Sequence, residues 1–136
     1  MNAARLAAIA LLCLAVALGR SNAADLYYEC TVVSAEKLTG QGTLSPHWTI
    51  EQMVGTKFTV DRVTGRIIGG PLDNSNMKID LVDKGTHEMS FQASAQSKQN
   101  THTTHIEVQE FVPGADKPFV GTTTLYYPGV YSGTCK

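Results

Sequence analysis

The chain has 136 residues, with 11 basic and 12 acidic side chains, a formal net charge of −1 and a hydrophobic fraction of 43%. One domain of roughly 100–150 residues accounts for that length. The apolar fraction excludes a disordered chain, and the charge balance excludes a strongly basic nucleic-acid binder. Its 12 glycines and 5 prolines follow no triplet period, which excludes a collagen-like fibre.

Residues 1–23 read as a secretory signal peptide. Arg5 supplies the positive start, Leu6 to Leu18 are uniformly apolar, and Ser21-Asn22-Ala23 offers the small residues of a cleavage site. The apolar run is well short of the ~20 residues that cross a bilayer as a helix. Removing the first 23 of the 136 residues leaves 113, expected to form a single β-rich domain over 24–136 with no stable membrane insertion after cleavage. Arg5 and Arg20 go with the signal, so nine basic residues face 12 acidic ones and the net charge becomes −3.

Cys13 is also lost, leaving Cys30 and Cys135. An even count in an exported chain predicts one disulfide. A lone cysteine pair without a neighbouring Cys or His makes a poor zinc site.

From Leu26 onward, apolar side chains recur at every second position. Leu26, Tyr28, Cys30 and Val32 share one face, with Glu29 and Thr31 on the other. Thr39-Gly40-Gln41-Gly42-Thr43 and its neighbours read as a flexible connection of about ten residues. Only Ser45 to Val54 offers helical spacing, through Trp48, Gln52 and Met53, while Ile50 and the Thr and Trp content argue equally for a strand. Phe58 and Val60 resume the period of two. Asp61-Arg62-Val63-Thr64-Gly65-Arg66 follows as a turn, its Gly65 suited to positive φ. After a polar loop from Pro71 to Asn76, alternation returns in Met77, Ile79 and Leu81, then, across a turn expected at Asp83-Lys84-Gly85, in Met89, Phe91, Ala93 and Ala95, and beyond the polar loop Ser97 to Thr101 in Ile106 and Val108. Two Pro-Gly turns, at Pro113-Gly114 and Pro128-Gly129, punctuate the remainder.

These runs predict an all-β, single-domain antiparallel meander of about eight strands, a closed or partly open small barrel, with a β-sandwich as the alternative. The disulfide requires the first strand to lie beside the last, as closure of a meander into a barrel does.

Chemistry-bearing residues are sparse. His102-Thr103-Thr104-His105 has a spacing that chelates on a helix, but on a strand positions three apart face opposite ways. His105 and Glu107 share a face and lack a third ligand. No Gly-x-Ser-x-Gly elbow, haem-attachment or phosphate-loop motif occurs. All ten aromatics lie beyond residue 23, and Tyr27, Tyr126 and Tyr131 form the candidate binding surface if the chain's two ends are neighbours.

The segment Phe58-Thr59-Val60-Asp61-Arg62-Val63-Thr64-Gly65, with Lys117-Pro118-Phe119 and the terminal Gly133-Thr134-Cys135, resembles a pattern of uncharacterised small secreted bacterial proteins. The resemblance implies a bacterial envelope location and no activity. The overall plan is also similar to periplasmic lysozyme-inhibitor barrels, whose inhibitory loop motif this sequence lacks.

The expected function is that of a periplasmic or secreted binding module that does no chemistry, without cofactor or metal. Its partner is a protein, a glycan or a small apolar ligand, and not nucleic acid. The alternatives are a small envelope hydrolase or metal-dependent protein using His87, His102, His105 and Glu107, and a structural component of the envelope.

Overall fold

Alternation of apolar and polar side chains determines which stretches pair in the computed structural model, which describes residues 26–136. The expected signal peptide, residues 1–23, lies outside the described residues. The elements in chain order are β1 (Tyr27–Leu38), β2 (Leu44–Pro46), α1 (Trp48–Glu51), β3 (Lys57–Asp61), β4 (Ile67–Ile68), β5 (Lys78–Thr86), β6 (Met89–Gln96), β7 (Thr103–Val108), β8 (Lys117–Thr123) and β9 (Gly129–Cys135).

All the pairings are antiparallel and belong to one sheet, in the order β4-β3-β1-β9-β8-β7-β6-β5, with β2 attached to β1 off that path. Every hairpin from β5 to β9 pairs with its successor. β9 then meets β1, so the chain's two ends share a seam. The two ends of that order, β4 and β5, do not pair, which makes the sheet a strongly curled half-barrel instead of a closed one. The partly open form of the expected barrel is therefore the observed one, and a two-sheet sandwich is not.

The seam is fixed by Cys30 and Cys135, which stand directly opposite each other with Cα atoms 3.9 Å apart and are disulfide-bonded. Glu29 and Lys136, one position beyond, exchange both backbone bonds at 3.0 and 2.9 Å. The cysteines are thus a non-hydrogen-bonded pair, the closer of the two antiparallel geometries. The bond closes a separation of 105 residues, for which loop-closure entropy gives about 4–5 kcal/mol. Gly133 belongs to the same seam. A side chain there would collide with Thr31 O and lie 2.8 Å from Phe119 Cε1, so the ring of Phe119 covers its cross-strand glycine.

Inward positions fill the interior with one apolar cluster. Tyr28, Cys30 and Val32 of β1 contribute, and a bulge between Val32 and Ser34 shifts the phase so that Ala35 continues it. Phe58, Val60, Phe91, Ala93, Ile106, Val108, Phe119 and Tyr131 join from the other strands. Two edge-to-face ring contacts span the cluster, Tyr28–Phe91 at 5.4 Å and Phe58–Phe119 at 5.2 Å, a geometry favoured by the ring quadrupole. Among the described residues these side chains fill the interior as one buried cluster.

Some residues depart from the expected alternation. Leu26 precedes β1 and is exposed. Asp83-Lys84-Gly85, expected as a turn, lies inside β5, and the chain reverses at residues 87–88 instead, so Met89 is exposed beside that turn and the inward run of β6 begins at Phe91. The Ser45–Val54 stretch divides: residues 44–46 pair with β1, and the helix is only four residues long. It buries Ile50 and leaves Trp48 outside, because His47 accepts from Thr49 N and starts the turn there.

The gap between β4 and β5 is filled by the loop from 69 to 77, the plug loop. Asn74 acts as a substitute strand against β4: its Oδ1 accepts from Ile67 N at 2.7 Å, its backbone N donates to Ile67 O at 3.2 Å, and its Nδ2 donates to Gly65 O at 3.0 Å. Those bonds satisfy an edge that would otherwise be open. Leu72, fully buried, projects across the interior onto β8, where Gly121 makes room for it. Gly65 takes φ +75 in the β3–β4 turn, as expected, and abuts Ala93, Ile79 and Leu81 from across the gap.

One end of the half-barrel carries a second tie. Arg62 from the β3–β4 turn pairs with Glu110 of the β7–β8 loop at 2.9 Å and lies 4.6 Å over the ring of Tyr28, whose hydroxyl donates to the same Glu110. Burial first, and then the Glu110 bond, push the Tyr28 phenol well above its usual range.

Replacing Gly121 with Ala should place a methyl on Leu72 Cδ1 and cost about 1–3 kcal/mol of stability in urea unfolding. Leu72→Ala alone should cost about 2–5 kcal/mol, and the double variant less than the sum, since the smaller side chain relieves the clash. A neutral Gly121→Ala substitution would contradict the plug.

Candidate functional site

The half-barrel end away from Arg62 and Glu110 holds a cleft of about 280 Å³ between the plug loop and the β8–β9 loop. Gly70, Pro71, Asp73, Ser75, Asn76 and Met77 form one wall, and Leu125, Tyr126 and Tyr127 the other.

The first wall is held by Asp73. Its Oδ2 accepts from Gly69 N at 2.8 Å, and its Oδ1 accepts from Ser75 N at 2.9 Å and Ser75 Oγ at 2.6 Å. Burial alone would raise this carboxyl, but the Ser75 hydroxyl, the Gly69 and Ser75 amides and the charge of Arg66 outweigh it and hold Asp73 below its ordinary value.

The second wall is a tight turn. Tyr127 N donates to Leu125 O, and Tyr126 between them takes φ 45, unique among the non-glycine residues described. This is the rare three-residue turn with a left-handed centre, costing on the order of 1–3 kcal/mol. Tyr126 nevertheless projects outward, 85% exposed. The surroundings impose the turn: Leu125 N donates to Thr123 Oγ1 at 3.1 Å, Thr124 N donates to Thr103 O at 3.0 Å, and the Tyr131 hydroxyl donates to Tyr127 O at 2.6 Å.

Of the three tyrosines expected to share a surface, the structure brings none together at the surface. Tyr131 is fully buried and supports the cleft from beneath. It stands opposite Ala35 on β1, eight positions from Tyr27, which at ~3.3 Å per residue is about 26 Å along the strand. Tyr27 is exposed at the far end, opposite Asp61. The sign of Tyr131's burial was its parity with Cys135, four residues on: an inward disulfide sends Tyr131 inward too. Asp73, Asn74 and Leu72 carried no such sign within a polar loop.

The histidines are also apart. His87 is in the β5–β6 turn and almost wholly exposed, whereas His102 precedes β7 at the opposite end of the sheet. The Nδ1 of His102 is enclosed without a hydrogen-bond partner. His105 Nδ1 and Ser94 Oγ are 2.8 Å apart, and Ser90 Oγ donates to Glu107 at 2.7 Å, so His105 and Glu107 on the outward face of β7 are each tied to a serine of β6. Cross-strand register places Asp80, Ser94 and His105 in one row. The serine stands in the middle, where a hydrolytic triad requires the imidazole. Among the described residues no three His, Cys, Asp or Glu side chains converge on a metal-sized site.

A broader hollow of about 570 Å³ lies over this row, lined by Lys78, Asp80, Ser94, Gln96 and His105 among others, and is more open than the tyrosine cleft. No protein-family model, curated protein or solved structure matches the chain.

Burial, and then the neighbouring Tyr127, push the Tyr131 phenol up to about 12. The unfolded chain releases that proton near pH 10. Tyr131 therefore contributes stability that is whole below pH 10 and is lost as pH rises toward about 12. Tyr131→Phe should reduce the fall of unfolding free energy in that window by up to about 1.4 kcal/mol per pH unit. It should also cost about 1 kcal/mol at pH 7 through the lost bond to Tyr127. An unchanged alkaline slope would contradict the buried hydroxyl.

Proposed function

We propose that this protein is an exported, non-enzymatic binding module that takes a small ligand in the cleft between the plug loop and the β8–β9 loop. The observation that carries the reading is Tyr126, an aromatic side chain 85% exposed on a backbone held at φ 45. Strain that the surroundings maintain is a mark of functional positions, and tyrosine supplies contact area at low entropic cost. The apolar cluster that fills the interior accords with a ligand taken at the end of the half-barrel.

A periplasmic or secreted location follows from the pattern of residues 1–23 and accords with the disulfide, a bond that persists in oxidising compartments. A second reading, a small hydrolase, has one observation in its favour, the hydrogen bond between Ser94 and His105. Among the described residues no carboxylate is hydrogen-bonded to that imidazole, as a hydrolytic triad requires.

An NMR screen of mixed small fragments tests the choice. Hits should move the amide signals of residues 70–77 and 124–127, and Tyr126→Ala should weaken them at least about tenfold, as loss of a hot-spot aromatic does. Tyr27→Ala should leave them unchanged. Hits confined to the Ser94–His105 hollow, or indifferent to Tyr126→Ala, would overturn the assignment.

A further inference from the structure

Resting on that binding reading, we infer that the cleft takes a single neutral sugar ring, the terminal or branching unit of a glycan. Its lining excludes the other ligand chemistries in turn. No Lys, Arg or His borders it, so a phosphate, sulfate or carboxylate would enter without a cationic partner and lose its hydration uncompensated. The one charged side chain, Asp73, already accepts three bonds from its own loop. It therefore offers a cation little beyond a screened charge.

A wholly apolar ligand fits no better. It would cover the Asn76 amide without replacing its bonds to water, and each buried polar group left unpaired costs free energy. What matches is a ligand with hydroxyls along its edge and C–H groups on its face. A pyranose has that form: its axial hydrogens stack on the electron-rich face of an aromatic ring while its hydroxyls bond an amide and a hydroxyl at the side. Tyr126 and Tyr127 supply the rings, and Ser75 and Asn76 supply the polar edge.

Size narrows the match. The cleft, about 280 Å³, falls below the ~300–1,000 Å³ of sites for drug-sized ligands and holds about nine waters at ~30 Å³ each. That is room for one ring. The rest of a glycan chain would extend into solvent past Tyr126. The strained turn adds a positioning device, because its hydrogen bonds fix the backbone that carries Tyr126 before the ligand arrives and spare the entropy of ordering that loop.

The experiment is a titration of the oxidised protein with glucose, galactose and N-acetylglucosamine, with phenol as an apolar probe and inorganic phosphate as an anionic one, followed by amide NMR shifts. At least one sugar should shift Ser75, Asn76 and residues 125–127 with a dissociation constant on the order of 1 mM, the scale of a small single-ring ligand. Tyr126→Ala should raise that constant at least about tenfold, and Asn76→Ala should raise it while leaving the fold's spectrum intact. Phosphate should shift nothing there. If phenol binds in the cleft and no sugar does, the sugar assignment is overturned while the cleft remains a binding site. If neither binds, both readings fail.

Discussion

The hydrogen-bonded seam between β1 and β9, with Cys30 and Cys135 as its covalent rung, is the contact on which the remaining architecture depends. A meander of hairpins β5 to β9 would by itself be a curved sheet with two open edges. Attaching β9 to β1 brings in β3 and β4 beyond it and carries the sheet around far enough to enclose a core. The ordering of so long a loop is entropically costly, and a crosslink removes much of that cost from the unfolded chain instead of adding contacts to the folded one. In a chain of this size, where the core alone leaves little margin, such a staple matters.

The sheet stops short of closure, and the chain completes the enclosure by other means. β4 has only two residues, too short to pair with the nine of β5. The loop that joins them folds inward, with Asn74 bonding β4 as a strand would and Leu72 reaching Gly121 on the far side. At the other end, Arg62, Glu110 and Tyr28 tie the β3–β4 turn to the β7–β8 loop. The cleft is a consequence of the plug: because residues 69–77 turn inward, their outer side forms a wall facing the strained turn at Tyr126. The shape of the cleft thus rests on hydrogen-bonded elements on both sides, with Tyr131 beneath.

Strand alternation was legible wherever a strand has one wet face, as in Phe58 and Val60 against Lys57 and Thr59, or Ile106 and Val108 against His105 and Glu107. The seam was legible because two cysteines admit one pairing. What the sequence concealed depends on contacts between distant residues. Leu72 looks like a lone apolar residue in a polar loop, and its partner, Gly121, has no side chain to suggest one. Bulges hide register as well: the shift at Val32 to Ser34 brings Ala35 inward and sets Tyr131 opposite it, out of reach of the surface. Tyr126 was identifiable as an aromatic near a Pro-Gly turn, but its left-handed backbone follows from hydrogen bonds to Thr103, Thr123 and Tyr131, which no local pattern encodes.

Native-state hydrogen exchange at Glu29 and Lys136 tests the seam most directly. Amides next to a strand end ordinarily fray and exchange at nearly the rate of a free peptide. Here each donates to the other's carbonyl, beside the disulfide. Both should be protected close to the level of the core amides of β7 and β8 in the oxidised protein, and should lose that protection on reduction. Free exchange of Glu29 and Lys136 in the oxidised protein would contradict the pairing of β1 with β9 and, with it, the half-barrel.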